Sequence, residues 1–336
     1  MRTPVSVTAI TTLALGVFAA AQTPSARHNR VIELLEQKRP VFGLYAPSNG
    51  RPGGPPGAAR PATPPAPAKS PAELARDTAA YKLSDFVFDG SMEGDFDKAF
   101  PVFAEFAKGL AGAGVIAREP VVHLTHPMIV KAPEIAPDPK AAAANIGKQL
   151  NQGVSGVMLV TVESAEEARQ GIAAMRFASR GGSRSDGDVG SAPAVWGLSE
   201  TEYRRKADLW PLNRDGELIN WTIVESKEGL AHLREIAAVP GIGVLWPGAG
   251  TLRRVFSTTS PSGERVFDQA GWEGAIQQVL SACKEFKIAC GFPASADDIQ
   301  LRMSQGFSVF VMGWGEAGFK TVEAGRKLAG RVDSSR

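Results

Sequence analysis

Asn220-Trp-Thr-Ile-Val-Glu225 is followed by a helical stretch over Gly229–Ala238 and then by Val239-Pro-Gly-Ile-Gly-Val-Leu-Trp246. The unit reads as strand, helix and strand. Both apolar runs are short and continuous rather than alternating, the pattern of strands buried on both faces of a parallel sheet. Glu225 stands at the C-terminal tip of the first strand, where an acid has few structural uses and several chemical ones, metal ligation first. The second strand ends in Pro247-Gly-Ala-Gly250 and offers no carboxylate.

The same alternation extends in both directions. Short apolar strands centre on Val41, Phe86, Val121, Val157, Ile223, Val244, Ala289 and Phe310, almost all separated by helical segments. Eight such units predict a closed (β/α)8 barrel, a TIM barrel, with its chemistry on the loops after the strands. No glycine-rich nucleotide fingerprint follows any strand, which argues against an open dinucleotide-binding sheet. Residues 22–336 are expected to form this single domain, with two excursions. A Pro/Gly/Ala tract at about 47–71 cannot bury a core. A long loop at about 179–218 carries Trp196, Tyr203 and Trp210, which are expected to anchor it by packing.

The 336 residues contain 37 Lys+Arg against 35 Asp+Glu, a balance of +2 that gives no footprint for a nucleic-acid partner. Arg2, the apolar run Val5–Ala20 and the small-x-small site Ala19-Ala20-Ala21 read as a signal peptide over residues 1–21, so the mature protein is expected to be exported, to the periplasm. The run is too short for a stable membrane span. Cys283 and Cys290 would then sit where a disulfide can persist. One is placed near a helix end and the other inside a strand, so buried free thiols are expected.

Residues at or after the strand ends are the candidates for chemistry: Asp89 and Glu93, His123 and His126, Glu163, Glu225, and Trp246 to Thr251. The set is acidic with two histidines. It suits a divalent cation and acid–base work better than phosphate binding.

In order and spacing, Arg39-Pro-Val-Phe-Gly43, Asp85-Phe-Val-Phe-Asp89-Gly90, Gly156-Val-Met-Leu-Val160 with Ala165-Glu-Glu-Ala168, Glu225 with Val239-Pro-Gly-Ile242, and Gly306-Phe-Ser-Val-Phe-Val-Met-Gly313 resemble the HpcH/HpaI aldolase and citrate lyase family. The resemblance implies a carbon–carbon lyase acting on a 2-oxo or hydroxy acid, in which Mg²⁺ or Mn²⁺ stabilises an enolate. It also implies a homo-oligomer, because the family often exchanges a terminal helix between subunits. The family uses a Glu and an Asp as metal ligands, a His for proton transfer and an Arg ending the third strand for the oxo-acid.

Carried over, Glu225 matches the metal-binding Glu. The Asp position falls in Gly248-Ala-Gly-Thr251, Glu93 falls at the His position, and His123 falls where the Arg is expected. Glu93 and His123 are therefore the expected catalytic pair, Glu225 the metal ligand, and Trp246, Gly248 and Ala249 the substrate contacts. The missing Asp and His leave an alternative: a catalytically weakened barrel that binds a small acidic or aromatic molecule without turnover.

Overall fold

The computed structural model describes residues 26–48 and 67–331. The expected signal peptide and most of the Pro/Gly-rich tract lie outside those residues. Eight parallel strands form the barrel: β1 (Val41–Tyr45), β2 (Val87–Asp89), β3 (Met128–Lys131), β4 (Gly156–Leu159), β5 (Leu218–Val224), β6 (Ile242–Pro247), β7 (Ala289–Pro293) and β8 (Val309–Met312), and the short strand Leu209–Trp210 adds a ninth to the sheet beside β5. β8 pairs with β1 through Val309↔Val41, and β4 pairs with β5 through Gly156↔Ile219, so the sheet closes on itself. The (β/α)8 barrel expected from the alternation is the fold.

Side chains alternate between the two faces of each strand, and this parity divides the core in two. The inward set (Val41, Phe86, Phe88, Ile129, Met158, Ile219, Trp221, Ile223, Val244, Trp246, Val309 and Val311) fills the lumen. Val31, Ile32 and Leu34, from the helix Arg30–Glu36, join this set and close the N-terminal end. The outward set packs under the helical ring. The helices begin on side-chain caps where the sequence supplies them: Ser70 and Glu73 form a reciprocal capping box, and Ser164 caps Ala165–Met175.

One buried carboxylate ties the chain ends to the barrel. Asp85, 1% exposed, accepts the Phe42 amide at 2.9 Å and pairs with Arg30, Arg326 and Arg331. The final helix, Glu316–Leu328, packs on its own barrel, with Gly325 against the Phe42 ring and Val322 buried.

Two expectations change. The third barrel strand is Met128–Lys131, not the run centred on Val121. His123–Leu124 instead pairs antiparallel with Ile116–Ala117, and Val121 is 41% exposed. Both runs are short and apolar, and only the sheet's pairing separates them. The cysteines are also not free. Cys283 and Cys290 form a buried disulfide with Cα atoms 5.6 Å apart, because helix Gln269–Phe286 turns directly into β7 and brings the two side chains face to face.

The 179–218 stretch is ordered, with helices Ala192–Trp196 and Glu200–Lys206. Trp196 and Tyr203 anchor it as expected. Both are fully buried, the first bonding the Gly153 carbonyl and the second the Leu150 carbonyl. No described helix is long and apolar enough to cross a membrane.

Candidate active site at the barrel mouth

The inward parity of each strand decides what reaches the C-terminal mouth. On β3, Ile129 faces the lumen, so Lys131 does too, at the rim. Beyond β5, Ile223 is followed two residues on by Glu225; beyond β6, Trp246 is followed by Gly248. An ammonium and a carboxylate therefore rise from the inward ranks of β3 and β5.

Beneath them lies an aromatic floor. Trp221 stacks on Trp246 with centroids 5.5 Å apart and on Phe88 at 6.0 Å, and Tyr45 meets Phe88 edge-on at 5.0 Å. Trp246, expected as a substrate contact, is 5% exposed and belongs to this floor. The Trp221 indole N–H is buried without a partner.

Glu225 is 4% exposed. Its Oε1 accepts the Thr161 amide at 3.2 Å and the Thr161 hydroxyl at 3.4 Å. Thr161 follows β4 with φ of 49°, in the left-handed region that side chains other than Gly, Asn and Asp rarely occupy. Such backbone strain clusters at working sites. The helix after Glu225 is capped by Ser226, whose Oγ accepts the Gly229 amide at 3.0 Å, so Glu225 is not spent as a cap.

Gly248 leaves room for Glu225. A Cβ at that position would lie 2.3 Å from the Glu225 Cβ and 2.5 Å from its Oε2. The Glu225 side chain occupies the space that a side chain at 248 would need. Ala249, the other expected contact, is buried, and its carbonyl accepts the Trp272 indole at 2.9 Å.

Glu93 and Lys131 are held toward each other by their surroundings. Met92 is buried and pins the turn Ser91–Glu93, while Asp89 accepts the Ser91 amide at 2.7 Å. Asp89 is thus a structural acceptor. Gln149 donates to the Lys131 carbonyl at 2.8 Å. The Lys131 ammonium then reaches Glu93 Oε2 at 2.7 Å, with side-chain exposures of 14% and 40%.

Neither histidine expected near the third strand is at the mouth. His123 precedes β3, and its neighbour Leu124 bridges to Asn29, the cap of the helix that closes the opposite end. Its Nδ1 lies 2.9 Å from the Val121 carbonyl. His126 is buried between the Tyr81 carbonyl and the Thr125 hydroxyl, and its burial lowers its pKa. Glu163 is half-buried after β4, and its backbone carbonyl lies 3.0 Å from His232 Nδ1. Lys131 therefore stands where His123 was expected, at the tip of the true third strand. Its signal in the sequence was the apolar run Met128-Ile-Val-Lys131. Thr161 carried no such signal, because its backbone angle is set only by the fold.

Among the described residues no group of three or more His, Cys, Asp or Glu side chains is arranged to enclose a metal. The donor chemistry nevertheless fits a partly hydrated cation. Glu225 is a buried carboxylate whose hydrogen-bond partners among the described residues are the two groups of Thr161, and no described basic side chain is paired with it. An uncompensated buried charge is costly. Hard divalent ions accept one or two carboxylates and complete their shell with water and substrate oxygens.

A closed parallel barrel with charged residues gathered at the C-terminal mouth is the architecture of a (β/α)8 enzyme. Residues 117–314, more than half of the chain, match the HpcH/HpaI aldolase/citrate lyase model, and the chain belongs to that family of aldolases and lyases. A curated relative, the hydroxypyruvate/pyruvate aldolase of Paraburkholderia phytofirmans, is 26% identical over 153 residues. The match takes in 46% of this chain and 55% of the relative, so the chain spans about half the length of the curated relative it matches.

Among solved structures, an HpcH/HpaI family protein from Burkholderia cenocepacia J2315 superposes with a TM-score of 0.62 at 19% identity, covering 91% of this chain and 100% of that one. Macrophomate synthase superposes with a TM-score of 0.57 at 16% identity, covering 90% of this chain and 88% of that one. At those identities the superpositions establish the fold alone.

Proposed function

We propose that this protein is a carbon–carbon lyase of the aldolase type acting on a 2-oxo or hydroxy acid, with Glu225 holding a divalent cation, Mg²⁺ or Mn²⁺. The observation that carries this reading is the pairing of roles at one rim: a buried carboxylate without a cationic partner at β5 and an inward ammonium at β3. Lys131 takes the substrate carboxylate, the part that the resemblance gives to an Arg. Glu93, the acid that falls at the family's proton-transfer position, is bonded to that ammonium in the free protein. The aromatic floor of Phe88, Trp221 and Trp246 keeps water from below the reacting carbons. When bound, the cation supplies the positive charge that stabilises the enolate left by cleavage.

Glu93 is bonded to Lys131, while Glu225 is buried without a described basic partner, and that carboxylate is the charge a cation would offset before an anionic substrate enters. The family's enzymes do not favour the non-catalytic alternative. The test is pyruvate release from 4-hydroxy-2-oxo acids by metal-free protein with and without added Mn²⁺. Glu225→Gln is expected to lower kcat/KM by roughly 100-fold, the size of loss seen when a charge-stabilising group is removed. Equal activity with and without Mn²⁺, together with an unaffected Glu225→Gln variant, would sink the proposal.

We further read the protein as exported. The Cys283–Cys290 bridge supports this, because disulfides persist in oxidising compartments. Fractionation of cells producing the full chain tests it; recovery of the uncleaved chain in the cytoplasm would count against it.

A further inference from the structure

The Lys131 ammonium, to which the proposed function assigns the substrate carboxylate, is already bonded to a carboxylate of the protein, Glu93 Oε2 at 2.7 Å. A substrate carboxylate and Glu93 therefore compete for one cation. Lys131 is largely enclosed, with 14% of its side chain exposed, and its stem runs past Gly90, where a Cβ would meet Lys131 Cδ at 3.5 Å. Glu93 is the freer partner at 40% exposure, on a three-residue turn followed by exposed Gly94.

Glu93 also has somewhere to go. It lines a cleft of about 290 Å³ between its own turn and the loop before helix Pro139–Asn151, with Pro133, Glu134 and Asp138 among the other walls. The cleft is acidic, so a carboxylate that swings into it leaves an ammonium for two like charges. That difference holds Glu93 on Lys131 while the mouth lacks a substrate anion.

We propose that Glu93 is a two-position specificity residue: an internal competitor that occupies the carboxylate-binding ammonium of Lys131 and withdraws into the acidic cleft when a substrate carboxylate displaces it. The ligand class this selects is an acid that brings a second contact of its own, such as a 2-oxo acid whose carbonyl also engages the mouth. A simple monocarboxylate has only the one contact with which to displace Glu93. The inference rests on the proposed role of Lys131.

The test is calorimetric titration of the full folded protein with oxalate and, separately, with acetate, both in the presence of Mg²⁺. Glu93→Gln removes the competing charge and is expected to tighten oxalate binding by about tenfold, the order of one exposed-to-half-buried ion-pair contact. It should also bring acetate into the measurable range. Glu134→Lys gives the withdrawn Glu93 a partner in the cleft and is expected to tighten oxalate in the same direction. Asp89→Asn removes an acid near the mouth that is not bonded to Lys131 and keeps its bond to Ser91; it should change the dissociation constant by less than about threefold.

If oxalate binds and Lys131→Met abolishes binding, but Glu93→Gln leaves the affinity unchanged or weaker, the competitor role is overturned while the role of Lys131 stands. Equal tightening by Asp89→Asn also overturns it, because the effect is then general charge. If oxalate binds wild type and Lys131→Met equally, both readings fall.

Discussion

Thr161 donates both its amide and its hydroxyl to the same oxygen of Glu225, and does so from a left-handed backbone conformation, φ 49°. β4 thereby controls the orientation of the acid that ends β5. If this contact positions Glu225, the hydroxyl and not the bulk of residue 161 is what counts. Thr161→Ser should keep kcat/KM for pyruvate release within about threefold, while Thr161→Val lowers it by about tenfold, the cost of losing a bond to a charged group. Thr161→Gly relieves strain of order 1 kcal/mol but loses the hydroxyl's bond to the carboxylate, so it should be no more stable than wild type by denaturant titration. Equal activity losses for Ser and Val would remove the positioning role.

The absence of a side chain at 248 is a steric requirement of Glu225. In Gly248→Ala the new methyl would meet the Glu225 Cβ at 2.3 Å. Overpacking of this kind costs about 1–3 kcal/mol. The expected result is a lower urea midpoint together with reduced Mn²⁺ affinity measured by calorimetry. A variant that matches wild type in both would show that Glu225 is free to move.

The Cys283–Cys290 bridge closes a short loop between helix Gln269–Phe286 and β7. Loop-closure entropy assigns such a ring about 2–3 kcal/mol. The double Cys→Ala variant should lose that much in urea unfolding, and a reductant should lower the wild-type midpoint but leave the variant unchanged. Indifference of the wild type to reductant would contradict the bridge.

His28 sets a pH dependence at the closed end of the barrel. It is 1% exposed; burial lowers its pKa from 6.5 to about 4, against the opposing bond from its ring to the Val122 carbonyl. Between pH 6.5 and 4 the unfolded chain therefore takes up a proton that the folded protein refuses, and stability falls as pH falls. The depression corresponds to roughly 3 kcal/mol at most. Neighbouring Glu217, whose pKa is raised by burial, acts in the opposite sense because its charging cost is relieved by acid. Urea midpoints from pH 7 to 4 should show wild type losing more stability than His28→Gln. Parallel curves would refute the assignment.

The barrel was legible because its determinants are local. Continuous apolar runs, helical spacing and strand-tip acids are all readable within a few residues, and Glu225 was found that way. The third strand was missed because Val121 and Ile129 lie in equally apolar runs, and only pairing with β2 and β4 selects the second. With that shift, His123 left the mouth and Lys131 entered it. The disulfide was misjudged because a helix-to-strand turn, not the spacing of two cysteines, aims their side chains.

By itself the sequence determined the alternation of strands and helices, hence the closed barrel, and the acid at the tip of β5. Periodicity and strand length depend only on neighbours along the chain. The tertiary structure alone decided what surrounds that acid: a strained Thr161 from the strand beside it, a Gly248 whose missing side chain makes room for it, and a lysine from two strands away held by Glu93. Each of these depends on register between segments far apart in sequence, which forms only when the sheet closes.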